Sequence, residues 1–145
     1  AEIGEVRYYV GTGEAARFLK LVLNMMVSTQ VQILAEGVVL GEKAGLDWDK
    51  MLEVISNSVV GSPLVKYKAG PLAARNYNPA FLLGLMIKDL DLALATAAEV
   101  GVELPITKAV RQFYLQAAGA GLAEKDFSAV TLELEKMAGL EPKTA

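Results

Sequence analysis

Cysteine and histidine are both missing from the 145 residues. Without cysteine there can be no disulfide, thiolate nucleophile or thiolate metal site, and the chain suits a reducing compartment, so a cytoplasmic setting is expected. Without histidine a Ser-His-Asp triad or an imidazole zinc site cannot be assembled from this chain alone. Proton transfer near neutral pH then falls to Lys, Tyr, Asp or Glu, and no metal site is expected. Basic residues number 14 against 17 acidic ones, a formal charge of -3. That leaves no basic excess to neutralise a phosphate backbone, so nucleic acid is not an expected partner. The most apolar stretch, residues 18–41, is interrupted by Lys20, Asn24, Gln30, Gln32 and Glu36. It reads as a buried helix rather than a membrane span, which needs about 20 predominantly apolar residues.

What is present is enough apolar material, 53% of residues, for one continuous core. Residues 6–10, rich in β-formers, read as a short strand entering the turn at Gly11-Thr12-Gly13. A lone strand is unstable, and the chain starts at Ala1 rather than Met. Residues 1–11 are therefore expected to be a strand and linker left from a missing domain, with 12–140 an all-α domain and 141–145 a tail. Residues 14–43 lack proline and predict a helix of roughly 30 residues, about 45 Å long. Its apolar side chains go nearly all round, the mark of a helix enclosed by neighbours or a second subunit.

About five shorter helices follow. Asp47 is placed to cap the second; Pro63 opens a third ending near Arg75. Leu85, Leu90, Ala93, Leu94 and Ala97 recur at helical spacing up to Gly101. Pro105 starts the next, through Val110, Phe113 and Tyr114 to Gly119. Asp126 or Ser128 caps the last, which ends at Met137.

Two charged interruptions stand out. Lys20 and Asn24, four apart, project from one helix face amid apolar neighbours. An ammonium partly withdrawn from water becomes a usable acid or base, and a carboxamide one turn away can orient a substrate oxygen. The other reading is a lysine reaching solvent beside a surface asparagine. Lys88 and Asp89 interrupt a second apolar helix and need partners: each other, a cofactor, the surroundings of Lys20, or solvent. Glu36 reads as structural. Gly11-Thr12-Gly13-Glu14 lacks the third glycine and the βαβ unit of a dinucleotide-binding fingerprint. Gly61-Ser62-Pro63 has the local freedom to line a pocket but is equally an ordinary turn.

Taken in order, Val10-Gly11, Lys20-Leu21, Asn24 and Ala35-Glu36-Gly37, then Phe81 and Lys88-Asp89-Leu90, then Leu104-Pro105 and Asp126-Phe127-Ser128-Ala129-Val130, resemble the C-terminal half of the β-hydroxyacid dehydrogenases. This is the group of 3-hydroxyisobutyrate dehydrogenase and the glyoxylate/succinic semialdehyde reductases, with a C-terminal fold like that of 6-phosphogluconate dehydrogenase. The resemblance implies a Rossmann domain, absent here, joined by the long helix to an all-α domain that forms dimers or higher homo-oligomers. It implies NAD or NADP, bound mainly by that absent domain, and a small hydroxy acid or aldehyde as substrate. Lys20 is then the catalytic lysine and Asn24 its catalytic companion; Phe81 and Asp89 face substrate, and Lys88 faces cofactor. Where the family usually has glycines this chain has Glu14 and Ala16, and Leu23 replaces a common asparagine. The retained Lys20 argues against imine-reducing or chromatin-associated members. A non-catalytic helical oligomerisation module and a helix-rich ligand-binding regulator are the alternatives. The dehydrogenase reading requires Lys20 in a half-dry crevice near Asn24 and Asp89.

Overall fold

The structure, a computed structural model, describes residues 8–141. Among them are six α-helices and no strand: α1 (Ala15–Lys43), α2 (Trp48–Asn57), α3 (Pro63–Ala73), α4 (Leu83–Glu99), α5 (Pro105–Ala117) and α6 (Val130–Met137). The all-α expectation of one long helix and five shorter ones holds. Of the strand expected over residues 6–10, Val6 and Arg7 lie outside the described residues. Tyr8, Tyr9 and Val10 are irregular, as a segment with no neighbouring strand to share its backbone hydrogen bonds must be. Most of the expected tail, residues 142–145, also lies outside.

The helix boundaries follow from local chemistry. Asp47 caps α2, its carboxylate accepting from the Lys50 amide at 2.8 Å, which satisfies one of the open donors of the first turn. Ser62 does the same for α3, accepting from the Val65 amide at 3.2 Å, with Pro63 at the first helical position. Gly61 precedes it because a side chain there would meet the Ser56 carbonyl oxygen at 2.1 Å. Pro71 sits inside α3, and the helix stops two residues later at Ala73. α5 ends at Ala117 rather than continuing to Gly119. A wide turn over residues 118–122 follows, closed by Gly121 at φ 88°, a left-handed conformation in which any side chain is strained. Asp126 caps a short 3-10 turn over residues 127–129 that leads into α6.

α1 is the hub. Between Lys20 and Glu36 it carries no charge, and its mean hydropathy reaches 1.4 over an 18-residue window. By length and composition it is apolar enough to cross a membrane, which corrects the reading from sequence: the charges bracket the apolar run instead of dividing it. In this fold the helix serves the core. Val31, Ala35 and Val39 pack with Leu83, Leu90, Tyr114 and Val130, while Leu34 and Val38 on another face pack with Trp48, Leu52, Val65 and Leu72. Its buried residues run from Ser28 to Gly41; ahead of them only Leu21 is buried. Phe18, Leu19, Val22, Leu23 and Met26 are exposed.

Candidate active site

α1 and α4 lie side by side, and this brings the two charged interruptions of the sequence together. Asp89 projects from α4 into the contact and is buried. Asn24 Nδ2 on α1 donates to its Oδ2 at 2.6 Å, and Lys20 Nζ, one turn earlier, stands 3.8 Å from the same oxygen. Lys88 Nζ approaches the other oxygen, Oδ1, at 3.3 Å, without the alignment of a hydrogen bond. Among the described residues Oδ1 therefore has a cationic neighbour but no donor. A buried carboxylate in that condition normally finds one.

The two ammonium groups are open: the Lys20 side chain is 63% exposed while that of Asp89 is 2% exposed. The crevice expected around Lys20 is present in its partners but not in its dryness. Two cations around one carboxylate leave a local excess of one positive charge at the surface, suited to an anionic or strongly polar group.

Beside this cluster lies a cleft of about 270 Å³ lined by Asn24, Val27, Lys68, Phe81, Met86 and Phe127 among others. Asn24 thus belongs to both, one end of its carboxamide on Asp89 and its side chain on the cleft wall. Phe81, half-buried, stacks edge-on against Phe127 at 6.2 Å between ring centroids. The five residues expected to carry the site are accordingly found around one place: Lys20, Asn24, Lys88 and Asp89 about the carboxylate, Asn24 and Phe81 on the cleft. Glu36 stands apart, accepting from Gln32 Nε2 at 2.8 Å within α1.

Sequence reasoning passed over Lys68, a buried lysine on the cleft wall. Its ammonium donates to Asp126 Oδ1 at 2.7 Å and lies 4.3 Å from the centre of the Phe127 ring. Burial alone would raise the Asp126 carboxyl, but the hydrogen bonds from Lys68 and Ser128 outweigh it and hold the group below its ordinary value. A signal for Lys68 was available. Val65, Lys68 and Leu72 are the buried positions of α3, so the lysine falls on the apolar stripe at helical spacing.

The comparisons with known proteins give the class of this helical chain, that of the hydroxyacid dehydrogenases. The chain belongs to the 3-hydroxyisobutyrate dehydrogenase family of β-hydroxyacid dehydrogenases. The matching family profile, over residues 11–134, is described as the NAD-binding region of NADP-dependent 3-hydroxyisobutyrate dehydrogenase. Among its relatives, the chain is 34% identical over 128 residues to the chloroplastic glyoxylate/succinic semialdehyde reductase 2 of Arabidopsis thaliana, covering 88% of this chain and 36% of that protein. It is 34% identical over 139 residues to the 2-(hydroxymethyl)glutarate dehydrogenase of Eubacterium barkeri, covering 95% of this chain and 46% of the relative. In fold it matches a 3-hydroxyisobutyrate dehydrogenase of Salmonella typhimurium with a TM-score of 0.81 at 24% identity, covering 86% of this chain and 44% of that one. The chain thus spans less than half the length of each of these relatives.

Proposed function

We propose that this chain is the substrate-side, catalytic-lysine domain of an NAD(P)-dependent oxidoreductase of the cytoplasm that interconverts a short hydroxy acid and its aldehyde or keto form. The observation that carries the reading is the meeting of Lys20, Asn24 and Asp89 at the α1–α4 contact, with Asn24 continuing into a cleft walled by Phe81. The family's relatives are named for reductions and oxidations of such compounds, among them glyoxylate and succinic semialdehyde. The domain completing the enzyme would be a Rossmann domain covering the open side of Lys20 and Lys88.

The residues fit a nicotinamide cofactor on the ground that the cluster offers both an exposed ammonium, Lys88, and a buried acceptor without a donor, Asp89 Oδ1. Lys88 would hold the cofactor; the hydride comes from the nicotinamide. Lys20 Nζ gives a proton to the substrate oxygen in reduction and takes it back in oxidation. Asp89 anchors Lys20 by charge and Asn24 by hydrogen bond, and Asn24 keeps the substrate oxygen facing the amine. Phe81 closes the cleft around the carbon skeleton. The rival reading, a helical module without chemistry, places Lys20 and Asn24 in a packed subunit interface; the cleft walled by Asn24 and Phe81 favours the enzyme. Leu23, Met26, Ile33 and Leu40 on α1 are exposed, which supports a homo-oligomer as well.

In the enzyme that joins this chain to a nucleotide-binding domain, Lys20→Ala should lower turnover by about 10²–10⁴, the usual worth of a positioned proton donor, while the cofactor dissociation constant stays nearly the same. Steady-state kinetics and calorimetry check both, and near-normal turnover would end the proposal. Calorimetric titration of this chain by itself with NAD and with NADP should show weak binding at best, since the phosphate-cradling loop is not in it.

A further inference from the structure

Asp126 lies outside the cluster around Asp89, yet it holds the cleft's aromatic wall through its second oxygen. Oδ2 accepts from the backbone amides of Ala80 at 3.1 Å and Phe81 at 3.3 Å. Oδ1 accepts from Lys68 Nζ at 2.7 Å, from the Ser128 amide at 3.0 Å and from Ser128 Oγ at 2.7 Å. Five donors thus converge on one buried carboxylate, two of them from the segment that delivers Phe81. The backbone is tied in the same place: the Asp126 amide donates to the Tyr77 carbonyl at 2.9 Å and the Phe127 amide to the Phe81 carbonyl at 3.0 Å. Phe127 then meets Phe81 edge to face, and the Lys68 ammonium lies over the Phe127 ring.

Between Ala73 and Leu83 the chain forms no helix, so these ties replace the hydrogen bonds that an element would have supplied. Lys68 matters twice. Its charge keeps the Asp126 carboxylate ionised although buried, and its side chain lines the same cleft as Asn24.

We propose that Asp126, fixed by Lys68, is a positioning residue for Phe81: the ion pair sets where the aromatic wall stands and thereby how tightly the substrate's carbon skeleton is held. The inference rests on the dehydrogenase reading for the identity of the substrate, but the tie between Asp126 and residues 80–81 does not. Phe81 exchanges no proton, so a displaced wall changes substrate binding in ground and transition states alike, raising KM while leaving kcat nearly the same.

Removing one charge would leave the other buried and unpaired, so the test uses charge-free pairs. In the enzyme that carries its nucleotide-binding domain, Lys68→Met with Asp126→Asn keeps an oxygen for the Ala80 and Phe81 amides; Lys68→Met with Asp126→Leu offers none. Aldehyde KM should be roughly tenfold higher in the leucine pair than in the asparagine pair, with kcat in the two agreeing within about twofold. Amide exchange at Ala80 and Phe81, read residue by residue, should be faster in the leucine pair. Equal KM and equal exchange in the two pairs would overturn the proposal, as would a loss confined to kcat. If the leucine pair does not fold, the unsubstituted enzyme decides. There the two amides should exchange at least about tenfold more slowly than open-chain amides, and exchange at the open-chain rate refutes the tie. Near-normal turnover in Lys20→Ala would instead remove the dehydrogenase reading while leaving the exchange result standing.

Discussion

Two of the charge clusters in this small bundle, those around Asp89 and Arg75, are built in opposite ways. Around Asp89 a single buried carboxylate faces two ammonium groups that are open to water, and one of its oxygens lacks a donor among the described residues. Around Arg75 everything is closed. Its guanidinium bonds Glu135 through Nη1 and Glu42 through Nη2, the latter at 3.1 Å, and lies 3.5 Å from the centre of the Trp48 ring. The Arg75 and Glu42 side chains are each 8% exposed. A cluster that serves only the fold surrounds its cation with partners. The Asp89 cluster leaves both of its cations reachable, which is the arrangement the proposed function draws on.

The Arg75 cluster bears a second mark of structural purpose. Arg75 takes φ 50°, unfavourable for a residue with a side chain by roughly 1–2 kcal/mol. It occurs just past the end of α3, where the Asn76 amide closes onto the Pro71 carbonyl at 2.8 Å. The surrounding ion pairs and the Trp48 ring hold the conformation in place.

The contrast can be broken by substitution. Arg75→Met leaves two carboxylates buried without their cation, and should lower unfolding stability by about 3–5 kcal/mol in denaturant titrations. Asp89→Asn should act the other way round, reducing turnover about tenfold or more through the loosened Lys20 and Asn24. Its stability should change by no more than about 1 kcal/mol, because the amide can still accept from Asn24 and no buried charge is orphaned. If Asp89→Asn unfolds the domain as readily as Arg75→Met, the two clusters are not different in kind.

The smallest effect concerns pH. Burial raises the Glu135 carboxyl above its ordinary 4.5, more than Arg75 lowers it, and the neighbouring Glu42 adds to the rise. A raised acid binds its proton more tightly in the folded state, so this contribution is fully present below pH 4.5 and is lost as pH rises through the folded value. Asp126 has the opposite sign: lowered from 3.8, it stabilises above that pH and fails only in stronger acid. Thermal melts should show the parent chain losing stability relative to Glu135→Gln over the range of pH rising from 4.5. A constant difference across that range removes the effect assigned to Glu135.

Much of the bundle was legible in the order of residues because helices announce themselves locally. The apolar run of α1, the Asp47 cap and Pro105 each act within a turn or two of chain. Lys20, Asn24 and Asp89 were visible as interruptions in apolar surroundings, although the 65 positions between Asn24 and Asp89 gave no geometric reason to pair them. What stayed hidden depends on distant contacts. The tie from Asp126 to Phe81 spans 45 residues, and Asp126 looked like a helix cap, which it also is. Lys68 escaped notice because Lys66 and Tyr67 next to it are exposed, giving the segment the look of a solvated face. The openness of Lys20 could not be read from its apolar neighbours, since Leu19, Val22 and Leu23 are exposed too.

The distribution of burial along α1 has a mechanical side. Ser28 to Gly41 root the shaft in the bundle, and the stretch bearing Lys20 extends beyond that root with Leu21 as its sole buried residue. The amine is mounted toward the thinly rooted end of a beam, and it is kept aimed by two things: the continuous backbone hydrogen bonding of the helix and the side contact with Asp89 on α4. Softening that beam at a position such as Leu23 or Met26, where a glycine weakens the helix, would disturb the aim of the amine without altering Lys20, Asn24 or Asp89.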